Sequence, residues 1–559
     1  MVLSTGTDSR RSFWGWGYEE RHLEAPALGR VAARMSESLG IEARVRRPAR
    51  LEDVTLRAPR VSPPESLAHI FTDDRFERCL HSHGQSYVDV LRASLGDFRN
   101  PTDLVAFPLN EHEIEQVLDW CSSLRLAVIP FGGGSSVVGG VTPEVGDRHV
   151  GVVTLDMRAL RTVREVDKVS RAALVEAGVL GPDLERQLAP HGLTLRHFPQ
   201  SFEFSTLGGW IATRSAGHYA TRTTRIDDFV ESIRAVTPAG AVETRRLPSS
   251  GAGPDANGLF LGSEGCLGVI TQAWVRLQDR VQFRARATIG IEDEAGALEC
   301  VRAIAQSGLD PANCRLLDPA ETVVAEVGDG TRYLLLLAFE SADHPVETSL
   351  RRTLDLCRDH GGTVVSPTDA SGGTAQKGRR RLASFGRGSA AKTDSLDSGS
   401  EKVDAWRRSF LAAPYVRDAA VLCGALCETF ETAVTWDRLP DLHARVRQAA
   451  AEAIAEVAGG SGLLTWRLSH VYPDGAAPYY TVIAGARRGS EEAQMSRISA
   501  AIGDAVAAGG GTTTHHHAVG RYQLKAYERE QPQLVRTALS AARRIFDPRG
   551  ICNPGALLR

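Results

Sequence analysis

The feature that most constrains this chain is a glycine-rich turn directly after a short apolar segment. Residues 126–130 predict a buried strand, which breaks into three glycines and two serines. Glycine has no Cβ, so successive backbone N–H groups can converge on an anion such as a diphosphate. A Cβ at Gly133 would intrude on that anion. We expect the turn to bind a diphosphate through Pro130, Phe131, Gly132, Gly133, Gly134, Ser135 and Ser136.

A second glycine-punctuated turn spans residues 262–271 and runs into the β-branched segment Val269-Ile270-Thr271. Either turn alone is a weak signal, because such turns are common. In this order and at this separation they resemble the two halves of the FAD-binding domain of the vanillyl-alcohol-oxidase type. The resemblance implies FAD contacts from Glu264, Gly265, Cys266, Leu267, Gly268, Val269 and Ile270.

A third segment, residues 199–217, lies between these turns and is dense in hydroxyls, paired glycines and a single arginine. A surface turn before a helix would explain the glycines alone. We interpret the polar groups as partners of the ribityl chain and the flavin ring. The candidates are Gln200, Ser201, Phe202, Glu203, Phe204, Ser205, Thr206, Thr213, Arg214, Ser215 and Ala216. We expect FAD to bind without a covalent link, because the 130–137 turn has no His or Cys.

Composition excludes several classes of protein. The 559 residues carry a net charge of −3, which argues against nucleic-acid binding. The sequence has no run of about 20 apolar residues, the length needed to span a membrane. Nine cysteines without a CxxC pair indicate free thiols in a reducing compartment. We therefore expect a cytoplasmic protein.

The pattern of strands and helices predicts an α+β protein. Regular alternation at 99–280 indicates a two-subdomain FAD-binding domain of the PCMH type, preceded by a helical region at 1–98. A second alternation at 281–508 predicts a cap domain, an antiparallel sheet covered by helices that binds substrate. Residues 509–559 are expected to return to the FAD domain and the active site.

The Gly- and Ser-rich segment 370–400 reads as a loop. It contains the basic run Lys377–Arg381. This run is either solvated surface or a flap over an anionic substrate.

Motifs along almost the whole chain resemble the alkyldihydroxyacetonephosphate synthases, flavoenzymes that form the ether bond of ether lipids. Besides the three FAD segments, the resemblance rests on short motifs at 15–18, 415–418, 428–432, 436–438, 472–480 and 514–520. It implies that acyl-dihydroxyacetone phosphate exchanges its acyl group for a long-chain fatty alcohol. The exchange would pass through an adduct at flavin N5 with no net redox change. We also expect a homodimer with peripheral membrane contact.

The same resemblance assigns roles to particular residues. Tyr479 is the expected general acid/base, and nearby cations would have to lower its pKa for it to act as a base near neutral pH. Arg417 is expected to bind substrate, its alternative being an ion pair with Asp418. Two further positions tied to activity are Arg315 and His197.

Three consecutive histidines, His515, His516 and His517, allow three interpretations. In an extended segment they would offer two ligands on one face and one on the other, short of the four that a closed metal site needs. They could be exposed polar residues. The family resemblance places all three at the active site, and we expect no metal.

The main alternative is an FAD-dependent 2-hydroxyacid dehydrogenase of the D-lactate or glycolate type. It shares the glycine turns and the segment Asp547–Gly555. Such an enzyme would normally show Glu-His-Gly near the C-terminus and a His/Asn metal cluster upstream. This chain has the three histidines and the Tyr479 segment instead. A flavin-storing or scaffold protein is a third hypothesis.

Overall fold

The computed structural model describes residues 10–219, 221, 223–365 and 400–559, and it confirms the α+β class. The basic run Lys377–Arg381 and the rest of the predicted loop up to residue 399 lie outside the described residues. None of the described helices is long and apolar enough to cross a bilayer.

The first sheet is the platform for the glycine turn. Its order is β1-β2-β4-β3, with β2, β4 and β3 parallel and β1 antiparallel. The helix α4 begins at an Asn110 cap, whose side chain accepts from the Glu113 N–H, and covers one face. The elements are β1 (Phe71–Thr72), β2 (Leu104–Ala106), α4 (Glu111–Leu124), β3 (Ala127–Phe131) and β4 (Val152–Asp156).

The second sheet is antiparallel, with the order β5-β6-β10-β8-β9. Its strand β10 directly follows the second glycine turn, and β7 pairs with β11 beside the sheet. The strands are β5 (Val163–Asp167), β6 (Ala172–Glu176), β7 (Leu193–Thr194), β8 (Val230–Thr237), β9 (Gly240–Glu243), β10 (Val269–Arg276) and β11 (Gln278–Asp279). The helices are α5 (Gly181–Leu188), α6 (Leu207–Thr213) and α7 (Asn257–Phe260).

The cap domain is built on a long antiparallel sheet with the order β15-β12-β14-β13-β18-β19-β16, and β17 pairs with β19. Its strands are β12 (Phe283–Ile291), β13 (Asn313–Leu317), β14 (Tyr333–Ser341), β15 (Thr363–Val364), β16 (Ala425–Glu431), β17 (Val434–Thr435), β18 (Gly462–Val471) and β19 (Gly475–Gly485). The covering helices are α8 (Glu294–Gln306), α9 (Pro319–Val324), α10 (Glu347–Asp359), α11 (Ser400–Leu422), α12 (Leu439–Ala458) and α13 (Glu491–Ala508).

The N-terminal region touches both domains. Its helices are α1 (Ala25–Leu39), α2 (Arg75–Leu80) and α3 (Tyr87–Ser94). Leu28 and Tyr87 lie in the core of the cap, whereas Leu67 and Ile70 lie in the core of the first sheet. Because β1 also joins that sheet, residues 10–98 share their packing with the two larger units. The domain boundaries at 98, 280 and 508 stay predictions.

The C-terminal segment runs back over the FAD domain. Cys552 forms a parallel bridge with Val128 of β3, and the Asn553 N–H donates to the Val128 carbonyl. Two helices, α14 (Leu524–Glu530) and α15 (Gln533–Phe546), precede this contact. The segment 512–523, before α14, passes between the FAD domain and the cap.

Candidate active site

The three segments predicted to hold the cofactor converge at the end of β3. A Cβ on Gly132 would lie 2.3 Å from Thr206 Oγ1, and one on Gly133 would lie 1.6 Å from the Phe204 carbonyl oxygen. A Cβ on Gly265 would lie 2.9 Å from the Pro130 ring. The glycines are therefore required for close packing of the segments. The prediction that a Cβ at Gly133 would intrude on the anion is therefore wrong, because a Cβ there would meet the Phe204 backbone.

The glycine turn nevertheless offers an anion site. In the described chain, the backbone N–H groups of residues 132–136 donate to no protein acceptor. Gly133 and Gly134 are buried, and buried backbone donors are almost always paired, so their N–H groups call for a ligand. A diphosphate has the acceptor oxygens to satisfy them. The residues present thus fit FAD.

Most side chains proposed to touch FAD are engaged in the protein itself. The Gln200 amide donates to the Phe410 carbonyl, Glu203 pairs with Arg21, and Arg214 pairs with Asp227. The Trp210 indole donates to Ser205 Oγ. The side chains of Leu267, Val269 and Ile270 are buried in the cores of the two sheets. These residues can meet the cofactor chiefly through their backbone.

A buried carboxylate organises the three histidines. Glu431, the last residue of β16, accepts from the backbone N–H groups of His515, His516 and His517 at 2.9–3.0 Å and from Thr514 Oγ1 at 2.6 Å. The histidines therefore lie on a turn, and the extended geometry considered for them is wrong. Burial alone would raise the pKa of Glu431, but the interactions with His516 and His517, among them a hydrogen bond from His516, bring it well below its ordinary value.

The imidazoles form a connected polar cluster. Tyr472 Oη lies 2.7 Å from His515 Nε2, and His515 Nδ1 lies 3.0 Å from His516 Nδ1, so one of these two Nδ1 atoms carries a proton. Burial, reinforced by the His516 charge, lowers the pKa of His515 to about 3. Burial also lowers the pKa of His517 to about 4. Both rings are neutral at physiological pH.

His470 at the end of β18 adds a fourth imidazole to this cluster. The ring nitrogens of His470, His515 and His516 lie within 4.8 Å of one another, a set that a divalent metal could use. Each of them already has a protein partner, since His470 Nε2 lies 2.9 Å from the Gly217 carbonyl oxygen. Metal binding would have to displace these hydrogen bonds.

Tyr479 on β19 faces the histidines. Its ring stacks on His516 with a centroid distance of 5.9 Å and meets His517 edge-on. The Arg467 guanidinium lies 4.0 Å from the Tyr479 ring centre. Burial raises the pKa of Tyr479, and the Arg467 charge offsets this only in part. The phenol is therefore protonated in the enzyme without FAD, contrary to the lowered pKa that a base would need.

Arg315 on β13 supplies a buried positive charge on the cap side of the cluster. Its guanidinium lies 4.1 Å from the Trp406 ring centre and donates to the Ser469 and His218 carbonyls. In the described part of the chain it has no carboxylate partner, and its Nε is buried without an acceptor. Burial and the nearby Arg467 lower the pKa of Arg315 to about 9. Arg467 itself is paired with Glu321 at 2.6 Å.

Arg417 and His197 have other surroundings. Arg417 on α11 pairs with Asp418 at 2.7 Å and donates to Gln85. The described histidine whose pKa its charge affects is His22, which lies outside the cluster. His197 is buried with its Nε2 2.9 Å from Ser215 Oγ, and burial lowers its pKa to about 3. His197 thus contacts Ser215 of the third FAD segment from the protein interior. For Arg417, the structure contains the ion pair with Asp418 that was the alternative to substrate binding.

A second carboxylate joins the histidine turn to the FAD domain. Glu264, in the second glycine turn, accepts from the Val519 and Gly520 N–H groups at 2.8 and 2.7 Å. Burial raises the pKa of Glu264 to about 7. Arg225 adds a third link by donating to the carbonyls of His515 and Arg214. The histidines therefore lie between the FAD segments and the cap.

Sequence reasoning did not select four residues of this site. Glu431 belongs to a recognised motif, but its role depends on a turn 84 residues away. Tyr472 was also part of a motif without a role of its own. His470 and Arg467 carry no motif signal. Alternation along β18 and β19 could have placed them on neighbouring strands, but only with the pairing known.

Two family models match this chain. The family model of the FAD binding domain matches residues 102–245, and that of the FAD linked oxidases, C-terminal domain, matches residues 280–557. Together they confirm FAD as the cofactor and the PCMH-type fold.

Individual proteins are similar over most of the chain. An alkyldihydroxyacetonephosphate synthase from Dictyostelium discoideum is 29% identical, covering 87% of this chain and 78% of the relative. A solved alkyldihydroxyacetonephosphate synthase structure matches with a TM-score of 0.77 at 24% identity, over 97% of this chain and 98% of the other. The glycolate oxidase subunit GlcD from Bacillus subtilis is 29% identical, but over only 53% of this chain and 60% of its own length.

Proposed function

The chain belongs to the FAD-linked oxidases and is a flavin-dependent enzyme, and from this premise we propose that it exchanges an acyl group for an alkyl group on dihydroxyacetone phosphate. The substrates would be acyl-dihydroxyacetone phosphate and a long-chain fatty alcohol, and the products an ether and a free fatty acid. Similarity to the synthases over 87% of the chain supports this choice. The shorter match to the glycolate oxidase subunit gives less support to a 2-hydroxyacid dehydrogenase.

The observation that carries the proposal is the unpaired Arg315. A buried guanidinium without a carboxylate partner is costly, so it calls for an anionic ligand. Its planar fork suits the phosphate of the headgroup. His470 lies close enough for the Arg315 charge to lower its pKa, so this buried ring is neutral and does not repel the guanidinium.

Tyr479 in its protonated form would serve as the proton donor, and the neutral His517 ring that it meets edge-on would serve as the proton acceptor. Exchange at a carbon next to a ketone requires a proton to leave that carbon and later to return. Bound FAD supplies the reversible electron sink that this exchange requires. The raised pKa of Tyr479 suits a group that gives up its proton only when a partner or the reacting centre takes it.

Product analysis is the decisive experiment. The full-length protein with bound FAD, given acyl-dihydroxyacetone phosphate and hexadecanol, should release fatty acid and alkyl-dihydroxyacetone phosphate in equal amounts. Oxygen uptake should be absent, and no electron acceptor should be needed. Steady reduction of a dye by D-lactate or glycolate, without ether product, would contradict the proposal and support the dehydrogenase.

A variant tests the role of Arg315. Arg315→Lys keeps the charge but loses the fork, and we expect KM for the acyl substrate to rise about tenfold or more with normal FAD content. Arg447→Lys is the matched control, because Arg447 pairs with Glu294 at the protein surface. An unchanged KM in Arg315→Lys would contradict the proposal that Arg315 binds the phosphate of the substrate.

We also propose Arg417 as a substrate-binding residue, although its guanidinium is paired with Asp418 and Gln85 in this structure. Arg417→Lys in the same KM measurement tests this role. Non-covalent attachment of FAD, the homodimer, the peripheral membrane contact and the cytoplasmic location also stay predictions. Acid precipitation checks the first, because covalently held flavin would remain in the pellet.

A further inference from the structure

The N-terminal segment carries an arginine to the glycine turn. Residues 10–19 fold back on themselves, with a bridge between Arg11 and Tyr18 and a hydrogen bond from the Ser12 N–H to the Gly17 carbonyl. The Trp16 N–H donates to Asp418 at 2.6 Å, which ties the segment to α11. The backbone of Arg11 is therefore held in place from both sides.

The Arg11 guanidinium lies against the cofactor segments. Its Nη2 donates to the Gly133 carbonyl at 3.2 Å, and its charge lies 4.8 Å from the centre of the Phe204 ring. In the described part of the chain it forms no ion pair, and its Nε is buried without an acceptor. Two neighbouring arginines differ in this respect: Arg158 pairs with Asp156, and Arg21 pairs with Glu203.

A buried charge without a counter-ion is unstable unless a ligand supplies one. Burial lowers the pKa of Arg11, and the nearby Asp156, which is itself paired with Arg158, offsets this only in part. The same turn presents the five free N–H groups of residues 132–136. A single anion between the turn and the guanidinium would satisfy both.

We propose that Arg11 is the counter-charge of the FAD diphosphate. The N-terminal segment is then part of the cofactor site, although it lies outside the residues matched by the FAD-binding family model, which begin at 102. A purely structural role is the competing explanation, in which Arg11 only anchors the Gly133 carbonyl. The two roles differ in how the Tm of an Arg11 variant depends on the FAD concentration.

FAD release from the full-length protein tests the proposal. Arg11→Met keeps most of the apolar stem, and we expect its Kd for FAD to rise at least tenfold, read from flavin fluorescence on dilution. Arg11→Lys should fall between Arg11→Met and the wild type. Arg10→Met is the matched control, because Arg10 is exposed and lies over the Phe76 ring.

Thermal unfolding over a range of FAD concentrations separates the two roles. If Arg11 acts through FAD, Arg11→Met and the wild type unfold at the same Tm when FAD is scarce, and added FAD raises the wild-type Tm more than the variant Tm, up to a constant difference set by the ratio of their Kd values. An Arg11→Met Tm that is already low when FAD is scarce, or an unchanged Kd in Arg11→Met, would overturn the proposal. Neither readout depends on the substrate, so the result stands apart from the proposed reaction.

Discussion

At the scale of single residues, the site combines a tyrosine, four imidazoles and one unpaired arginine around an interior carboxylate. Tyr479, Arg315 and the three histidines could be predicted from sequence because they belong to short motifs. Glu431 and His470 could not, because their importance arises from contacts between segments distant in the chain. The ionisation of Tyr479 was also inaccessible, since it depends on how deeply β19 is buried.

Tyr479→Phe tests the proton carrier. The change keeps the ring against His516 and Arg467, so folding and FAD content should survive. Activity should fall at least about 10²-fold, the usual effect of losing an acid/base group. Turnover and the flavin absorption spectrum measure the two effects.

Tyr480→Phe is the control, because alternation along β19 turns Tyr480 to the opposite face, where its hydroxyl meets His443. That variant should lose some stability and little activity. Near wild-type turnover by Tyr479→Phe with normal flavin would remove Tyr479 from the chemistry.

At the scale of elements, prediction succeeded where local signals were strong. The acidic residues Glu111 and Glu113 in the first turn of α4 are a local signal for a helix start, and the helix is capped at both ends by Asn110 and by Arg125 in the left-handed conformation. The helix α11 was missed because Pro414 interrupts its pattern and because it starts beside a Ser- and Gly-rich segment. Strands β16 and β18 were missed too, and they carry Glu431 and His470.

The turn that presents the histidines depends on Glu431. In Glu431→Gln one acceptor oxygen remains, and the new NH₂ group faces backbone donors. We expect a loss of about 3 kcal/mol in the free energy of unfolding, as for other broken buried charge networks, and a strong loss of activity. Urea unfolding and turnover measure these effects.

Glu530→Gln is the matched variant, because Glu530 also accepts from this turn, at Thr512 and Thr513, but at the surface. It should cost about 1 kcal/mol or less. Equal stability losses in the two variants would show that burial of the Glu431 carboxylate is unimportant.

At the scale of the whole molecule, buried histidines make the fold sensitive to acid. Burial is the main cause of a lowered pKa in six of them: His22, His197, His443, His470, His515 and His517. The unfolded chain takes up their protons near pH 6.5, whereas the folded protein does so well below it. Stability therefore falls as pH drops from about 6.5 toward 4.

Four described carboxyl groups oppose this trend, because burial raises their pKa values and a protonated carboxyl favours the fold at low pH: Glu185, Glu264, Asp318 and Glu428. They are fewer than the six histidines. We expect the urea midpoint to fall steadily between pH 7.5 and 5. His443→Gln, outside the active site, should reduce the slope near pH 5 by about 1.4 kcal/mol per pH unit and keep activity. A urea midpoint that is constant or rises on acidification would contradict the view that buried neutral histidines control the acid stability of the fold.

The two carboxylates that accept hydrogen bonds from the histidine turn also determine when the active site can form during synthesis of the chain. Glu264 and Glu431 come from different domains, and both close on Thr514–Gly520, which the ribosome makes after either of them. Domains generally fold as they emerge, N-terminal first. In a nascent chain, each domain therefore contains a carboxylate whose hydrogen-bond donors have not yet been made. The candidate active site can form only after translation has passed residue 520.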